Sequence, residues 1–156
     1  MKKYSCLIFF LCLVISSTCF ADIPYERVAL GGIQFGTTME RVKSIYGEPD
    51  KIEHSYNYFY SDNIAIHYYG YTLIVEYNSE NTVVMIDSYG ENDIATPDGV
   101  KVGMNKNILS KIYGTPRRHH VSPKSVYYPT EKYNHIGIRF DLYKDRITQI
   151  RVGLFD

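Results

Sequence analysis

The chain has 156 residues, of which 45% are hydrophobic, and its 17 Lys and Arg residues balance its 17 Asp and Glu residues. A balanced charge provides no overall attraction to nucleic acid or to an acidic membrane surface, so neither is predicted as a partner. All three cysteines lie within the first 21 residues, which excludes disulfides, thiolate metal sites and a cysteine nucleophile from residues 22–156.

The first predicted element is a secretory signal peptide at residues 1–21. Lys2 and Lys3 give it a basic start, residues 6–15 form an unbroken apolar run, and small residues occupy the two positions that a signal peptidase reads. The apolar run is shorter than the roughly 20 residues that a membrane-spanning helix needs. We therefore predict no membrane span, a mature N-terminus at Asp22, and export to the periplasm or to the outside of the cell.

A lipoprotein acylated at Cys19 is the alternative interpretation of this segment. Such a site needs a small residue directly before the cysteine and an apolar residue three positions before it. Thr18 and Ser16 fit that pattern poorly, so the pattern argues against a lipid anchor.

An internal repeat follows the predicted signal peptide. Residues 32–49 align without a gap with residues 99–116, which lie 67 positions later, and six of the 18 aligned positions are identical. The identical pairs are Gly32/Gly99, Gly36/Gly103, Ile45/Ile112, Tyr46/Tyr113, Gly47/Gly114 and Pro49/Pro116. This match predicts two repeats, at residues 22–90 and 91–156.

Each copy of the repeat contains a predicted helix start. Thr38 and Asn105 are the N-cap candidates, because a short side-chain oxygen can accept a hydrogen bond from the amides of the first helical turn. In the first copy Thr37 and Glu40 also fit a capping box, which leaves that start uncertain by one residue.

Each copy also contains a predicted helix stop, "IYGEP" in the first and "IYGTP" in the second. Gly47 and Gly114 suit the left-handed conformation that ends a helix, and the proline two residues later prevents the helix from resuming. The tyrosine before each glycine is expected to dock its helix on a sheet.

Runs rich in Tyr, Ile and Val, separated by turn residues, predict strands after each helix. The predicted strands are Tyr56–Tyr60, Ile64–Tyr69, Tyr71–Tyr77 and Thr82–Tyr89 in the first copy, and Ser125–Tyr128, Ile136–Leu142 and Arg146–Gly153 in the second. The predicted fold class is therefore α+β, with two tandem repeats that each place a short helix before an antiparallel meander of three or four strands.

Alternation along these strands separates a helix-covered face from an open face. Ile136, Ile138, Phe140 and Leu142 are predicted to face the core, as are Val84, Ile86 and Ser88 in the first copy and Thr148, Ile150 and Val152 in the second. The open face is predicted to carry Val83, Met85, Asp87 and Tyr89 from the first copy, and His135, Arg139, Asp141, Tyr143, Ile147, Gln149, Arg151 and Gly153 from the second.

The two halves carry opposite charge, and this contrast points to the open face as a binding surface. Residues 22–90 hold 10 acidic and four basic residues, a net charge of −6, whereas residues 91–156 hold seven acidic and 11 basic residues, a net charge of +4. The opposed charges could serve either an external protein or contact between the halves. The candidate binding residues are Tyr56, Tyr58, Tyr60, Met85, Asp87, Tyr89, Arg117, Arg118, Arg139, Tyr143 and Arg151.

Two groups in that set rest on short motifs. Tyr56, Tyr58 and Tyr60 recur at period two, which would place them on one side of one strand, and tyrosine is favoured at binding surfaces; half-buried strand tyrosines are the alternative. The segment Arg117–His120 reads "RRHH" and is either a cationic edge for an acidic partner or an exposed connection.

Catalytic and metal-binding signatures are absent from the sequence. It contains no Gly-x-Ser-x-Gly, no phosphate-binding glycine loop and no His-Glu-x-x-His. His119 and His120 are adjacent, and neighbours in a strand point to opposite faces, which would make them a poor metal pair. We therefore predict a non-enzymatic protein with no metal site and no cofactor.

The lead-in glycines, the short helix and the "G-x-P" stop before a meander resemble the BamE/SmpA-like domain of outer-membrane assembly lipoproteins. A tandem of two such units is similar to the architecture of beta-lactamase inhibitory protein. These resemblances imply a secreted, non-enzymatic protein that binds another protein. Residues 22–156 depart from both families, because they lack the inhibitor's disulfides and tryptophans and the lipoproteins' acylated cysteine.

Three functions remain open at this point. The first is an exported protein-binding module, inhibitor-like or associated with the cell envelope. The second is a structural or assembly factor of the envelope, which acylation at Cys19 would favour. The third is a hydrolase whose site is assembled from residues scattered in the sequence.

Overall fold

The computed structural model describes residues 21–155, so the predicted signal peptide, apart from Ala21, lies outside the described residues. The α-helices are α1 (Met39–Tyr46) and α2 (Asn107–Tyr113), and short 3-10 helices span Tyr25–Arg27 and Arg118–His120. The ten strands are β1 (Ala29–Leu30), β2 (Ile33–Gln34), β3 (Lys51–Asn57), β4 (Asp62–Tyr69), β5 (Leu73–Tyr77), β6 (Val83–Tyr89), β7 (Val121–Ser122), β8 (Ser125–Pro129), β9 (Ile136–Tyr143) and β10 (Arg146–Leu154). Within this part of the chain, neither helix has the length and apolar content needed to cross a membrane.

Strands β3 to β10 form one antiparallel sheet of eight strands, in the order β3-β4-β5-β6-β10-β9-β8-β7, and β1 pairs only with β2. The predicted fold class, two tandem helix-plus-meander repeats, is therefore wrong. The prediction is contradicted by the pairing of β6 with β10, which places Ile86 opposite Val152 and Ser88 opposite Ile150. All four of these side chains are completely buried, so joining the two strands removes both edges from water and creates a single sheet over one core.

The two helices end at the predicted glycines, which have the expected positive φ but not the predicted left-handed helical conformation, because their ψ is extended. Gly47 and Gly114 both have φ 81°, with ψ −161° and −166°, and their amides donate to Lys43 O and Ser110 O. At the start of α1, the Thr38 side chain accepts from the Arg41 amide, which confirms that N-cap.

The tyrosine before each stop docks its helix on the sheet, as predicted. The Tyr46 ring lies 5.6 Å from the ring of Tyr69 on β4, and the Tyr113 ring lies 5.2 Å from that of Tyr128 on β8. The Tyr113 hydroxyl is buried and donates to Thr96 Oγ1 over 2.8 Å.

Two β-bulges shift the predicted alternation at the start of β6 and β10. Glu76 and Tyr77 on β5 pair with Met85 and Val83, which leaves Val84 as the extra residue. Leu142 and Asp141 on β9 pair with Ile147 and Gln149, so Thr148 is extra there.

The bulges correct three predictions about the two faces. Val83 and Ile147, predicted to lie on the open face, are buried in the core, and Thr148, predicted to face the core, is exposed. An extra residue in one strand reverses the side-chain direction of those before it. Beyond the bulges the predicted alternation is confirmed, because Ile86, Ile138, Phe140, Ile150 and Val152 are buried.

The first meander strand also differs from its prediction. It spans Lys51–Asn57 instead of Tyr56–Tyr60. The chain turns after Asn57 because the Asn57 side-chain oxygen accepts hydrogen bonds from the amides of Phe59 and Tyr60, which is the geometry of an Asx turn.

Candidate binding face

The candidate site is the face of the eight-stranded sheet that points away from the helices, here called the open face. Val42 of α1 and Leu109 and Tyr113 of α2 belong to the same core cluster as Val75 and Ile86 of the sheet. Both helices therefore pack on one side of the sheet. Side chains that alternate with the core residues form the open face: Lys51, Glu53, Ile66, Tyr68, Ile74, Glu76, Met85, Asp87, Tyr89, Tyr127, Gly137, Arg139, Asp141, Gln149, Arg151 and Gly153.

Five of the predicted binding residues come together on this face. Asp87 lies opposite Arg151 across the β6–β10 pair, and Arg151 lies opposite Arg139 on β9. Met85 and Tyr89 flank Asp87 on the same side of β6. The strand register thus places the predicted acidic and basic residues side by side, in the middle of the sheet.

The predicted tyrosine row does not form. Tyr56 pairs with Asn63 and shares its side of β3 with Ile52, which is opposite the buried His67. It therefore points to the helix side of the sheet. Tyr58 and Tyr60 lie in the β3–β4 turn, where Tyr58 is 88% exposed. The prediction fails because the Asx turn ends the strand before these two residues.

The remaining predicted residues also lie outside the centre of the open face. Tyr143 is exposed at the end of β9, beside the β9–β10 turn. Arg117 forms an ion pair with Asp22 near the start of the described chain. Arg118 begins a 3-10 helix and is exposed.

His119 and His120 lie in the 3-10 helix that leads directly into β7, and their rings are in contact with centroids 4.1 Å apart. In residues 21–155, no group of three or more His, Cys, Asp or Glu side chains is placed to hold a metal ion.

A connected polar network occupies the middle of the open face. Arg151 Nε lies 3.1 Å from Asp87 Oδ1, and Arg151 Nη2 lies 3.5 Å from Asp141 Oδ2. Gln149 Nε2 donates to Asp87 over 2.9 Å, and Arg139 Nε donates to Asp141 over 2.9 Å. The network therefore links β6, β10 and β9, so part of the opposed charge of the two halves holds the sheet together.

Glu76 lies beside this network and takes no part in it. Its neighbours directly across the sheet are Ile66 on β4 and Met85 on β6, both apolar. Among the described residues, none donates a hydrogen bond to its carboxylate. Burial against the apolar neighbours, together with repulsion from Asp87, raises the Glu76 pKa to about 6, although Arg151 opposes the shift.

The pKa of Asp87 is also raised by burial, but neighbouring groups oppose this shift more strongly than at Glu76. Burial raises its pKa, while the Arg151 charge and the Gln149 hydrogen bond lower it. The open face thus contains one paired and one unpaired carboxylate. Sequence reasoning found Asp87 and missed Glu76, because Glu76 alternates with buried Val75 and Tyr77 in an ordinary strand pattern.

Two glycines of the open face, Gly137 near the start of β9 and Gly153 near the end of β10, lie opposite each other. A Cβ atom on Gly153 would come within 2.3 Å of Val84 O and 3.1 Å of Met85 Sδ. A Cβ atom on Gly137 would come within 2.9 Å of the Tyr127 ring. The glycines therefore let the side chains of Met85 and Tyr127 lie close to the backbone of β10 and β9.

A cavity of about 200 Å³ lies at the β8 end of the open face. Its lining includes Ser125, Tyr127, Arg139, His119, His120 and Phe155. Burial lowers the His120 pKa, with additional repulsion from His119 and Arg117. Arg139 thus lies beside this cavity and is paired with Asp141, whereas Glu76 lies on the other side of the β6–β10 pair, on β5, and receives no hydrogen bond from the described residues.

No protein-family model matches the chain, and no curated protein sequence matches it significantly. Among solved structures, the chain is similar to the crystal structure of YjgB, a DUF4309 family protein from Bacillus subtilis subsp. subtilis str. 168. The two chains are 13% identical, with a TM-score of 0.46, over 79% of this chain and 82% of that chain. A likeness this distant carries no argument about family or function, so the resemblance to the BamE/SmpA-like domain stays a prediction.

Proposed function

We propose that the chain is an exported, non-enzymatic protein-binding module that uses the open face of its eight-stranded sheet to contact another protein. The observation that carries the proposal is the carboxylate of Glu76, which is half-buried between apolar neighbours and receives no hydrogen bond from the described residues. An unpaired carboxylate in such surroundings costs free energy. A partner that supplies a donor would remove that cost.

The surroundings of Glu76 define the chemistry of the partner. Ile66 and Met85 form apolar walls on its two sides. A lysine or arginine side chain can lay its methylene groups along such walls while its charged end reaches the carboxylate. The partner is therefore expected to present a basic side chain at this position.

Near β8, the open face is expected to contact an acidic side chain of the partner. Arg139 lines the cavity near β8, and among residues 21–155 the side chain of Asp141 bonds to its Nε alone. Its terminal nitrogens are available to an acidic side chain, with which a guanidinium can form two parallel hydrogen bonds. A partner with one basic and one acidic group, spaced along the β5-to-β8 direction, would satisfy both ends.

The test is affinity capture followed by mass spectrometry. The purified protein is immobilised and exposed to an extract of its native surroundings, alongside the variants Glu76→Lys, Arg139→Gln and Arg41→Glu. Arg41 is exposed on α1, away from the open face, so its variant is the matched control. We expect a protein that wild type and Arg41→Glu retain equally and that the two open-face variants lose by about tenfold or more.

Two results would overturn the proposal. One is a captured protein that Glu76→Lys and Arg139→Gln retain as well as wild type does. The other is retention that does not change between low and high salt, because contacts between exposed charges are screened within about 10 Å at 0.1 M salt. Circular dichroism of each variant confirms that the sheet is intact before binding is compared.

Export is tested separately by the mass of the mature protein. A new N-terminus at Asp22 would agree with a cleaved signal peptide. An acylated N-terminus at Cys19 would favour the alternative, a tethered factor of the cell envelope.

A further inference from the structure

The two edges of the eight-stranded sheet differ in how they are protected. One edge is β7, which has two residues and is followed directly by Pro123 and Lys124. Short strands, proline and lysine are features that prevent edges from pairing with other chains. The other edge is β3, which has seven residues and contains no proline. Within residues 21–155, β3 pairs only with β4.

One side of β3 presents an exposed apolar patch, and the two charged residues of this strand, Lys51 and Glu53, lie on the other side. Ile52 and Tyr56 lie on the same side of the strand and are 47% and 48% exposed. The Tyr58 ring in the adjoining turn extends this patch, with its centroid 5.1 Å from that of Tyr56. On the opposite side of β3, Glu53 is already neutralised by Lys51, whose Nζ lies 2.5 Å from its carboxylate.

We propose that β3 is a homodimerisation edge, at which a second copy of this chain adds its own β3 in antiparallel orientation about a two-fold axis at His54. Such an axis pairs residues whose numbers have the same sum. Ile52 then lies opposite Tyr56 of the other copy, and Glu53 lies opposite Ser55. Lys51 lies opposite Asn57.

Self-complementarity is the reason for choosing a second copy as the occupant. In this register both apolar residues meet apolar residues, the two His54 side chains meet at the axis, and neither Lys51 nor Glu53 lies opposite a residue of its own charge. Cross-strand apolar pairs stabilise antiparallel sheets, and directly opposed like charges destabilise them. The interface is also isologous, as a two-fold dimer requires.

The neighbouring symmetric registers are worse. An axis at Glu53 would place the two Glu53 carboxylates opposite each other and Ile52 opposite His54. An axis at Ser55 would place His54 opposite Tyr56 and leave Glu53 opposite Asn57. Only the axis at His54 matches Ile52 with Tyr56 and keeps the two glutamates apart.

The first test is the oligomeric state of the purified protein by light scattering during size-exclusion chromatography. We expect a concentration-dependent shift from the monomer mass to twice that mass. Ile52→Lys should abolish the shift, because it introduces a charge into the apolar row. Val121→Lys is the matched control, since Val121 is 46% exposed on the opposite edge strand β7, and it should dimerise like wild type.

The second test fixes the register by disulfide cross-linking. Residues 22–156 contain no cysteine, so a single introduced cysteine reports its own position, with the unsubstituted chain as background. Two His54→Cys residues would lie directly opposite at the axis, about 4.5–5.5 Å apart, within the range that a disulfide requires. Two Lys51→Cys residues would lie about 20 Å apart and should not cross-link.

A monomer at all accessible concentrations would overturn the proposal, as would a dimer that Ile52→Lys leaves intact. Equal cross-linking at positions 51 and 54 would overturn the register. Because β3 contributes none of the open-face residues used in the capture experiment, either proposal can fail while the other holds.

Discussion

Replacing Glu76 with glutamine should stabilise the protein at neutral pH and leave its stability nearly unchanged in acid. Burial raises the pKa of this carboxyl from 4.5 to about 6. A shift of roughly 1.5 units corresponds to about 2 kcal/mol, because each unit is worth 1.36 kcal/mol. Glutamine has almost the same shape and carries no charge to desolvate, so it avoids most of that cost.

The direction of the pH dependence follows from proton binding. Between pH 4.5 and about 6 the folded protein holds a proton on Glu76 that the unfolded chain releases. Stability from this group is therefore present below pH 4.5 and is lost as the pH rises through about 6. Glu76→Gln should exceed wild type by about 1–2 kcal/mol at pH 7.5 and by close to zero at pH 4.

Urea unfolding at both pH values, followed by circular dichroism, measures the effect. Glu80→Gln is the matched control, because Glu80 is exposed in the turn between β5 and β6. It should change the free energy of unfolding by less than about 0.5 kcal/mol. A loss of stability in Glu76→Gln at pH 7.5, or the same gain at both pH values, would refute the reasoning.

Three further substitutions test the contacts around the sheet by urea unfolding. Gly153→Ala should cost about 2 kcal/mol or more, because its Cβ would lie 2.3 Å from Val84 O; a neutral result would show that the strand can shift. Tyr113→Phe should cost about 1 kcal/mol by leaving the Thr96 hydroxyl without its buried donor; no change would mean that the bond is not maintained. Arg151→Met should cost about 1–2 kcal/mol at pH 7 and less at pH 3, since its partner carboxylate on β6 is then protonated; an equal cost at both pH values would indicate packing alone.

The local features of the fold were predictable because they depend on neighbouring residues. The stops at Gly47 and Gly114 follow from the backbone freedom of glycine and from the proline two residues later. The alternation that buries Ile138 and Phe140 follows from the pleat of one strand. Each of these inferences needs information from only a few consecutive residues.

The features that the sequence does not predict correctly depend on contacts between distant segments of the chain. The repeat predicts two separate units because nothing in either copy marks β6 and β10 as partners, and the pairing of these strands creates the single sheet. The bulges at Val84 and Thr148 could not be predicted, because no proline or glycine occupies either position. Glu76 was overlooked for the same reason, since its apolar surroundings come from β4 and β6 rather than from its own strand.

The pairing of β6 with β10 has a consequence for how the molecule folds. It joins Met85 to Gly153, which are 68 positions apart in the chain, whereas every other neighbouring pair in the large sheet is close in sequence. Bringing distant segments together lowers the entropy of the chain before the stabilising contacts form. Such pairings therefore slow folding. The central strand of the sheet also follows all the other strands in the chain. The large sheet can therefore be completed only after β10 has been synthesised. Until then the edge of β6 that pairs with β10 remains unpaired.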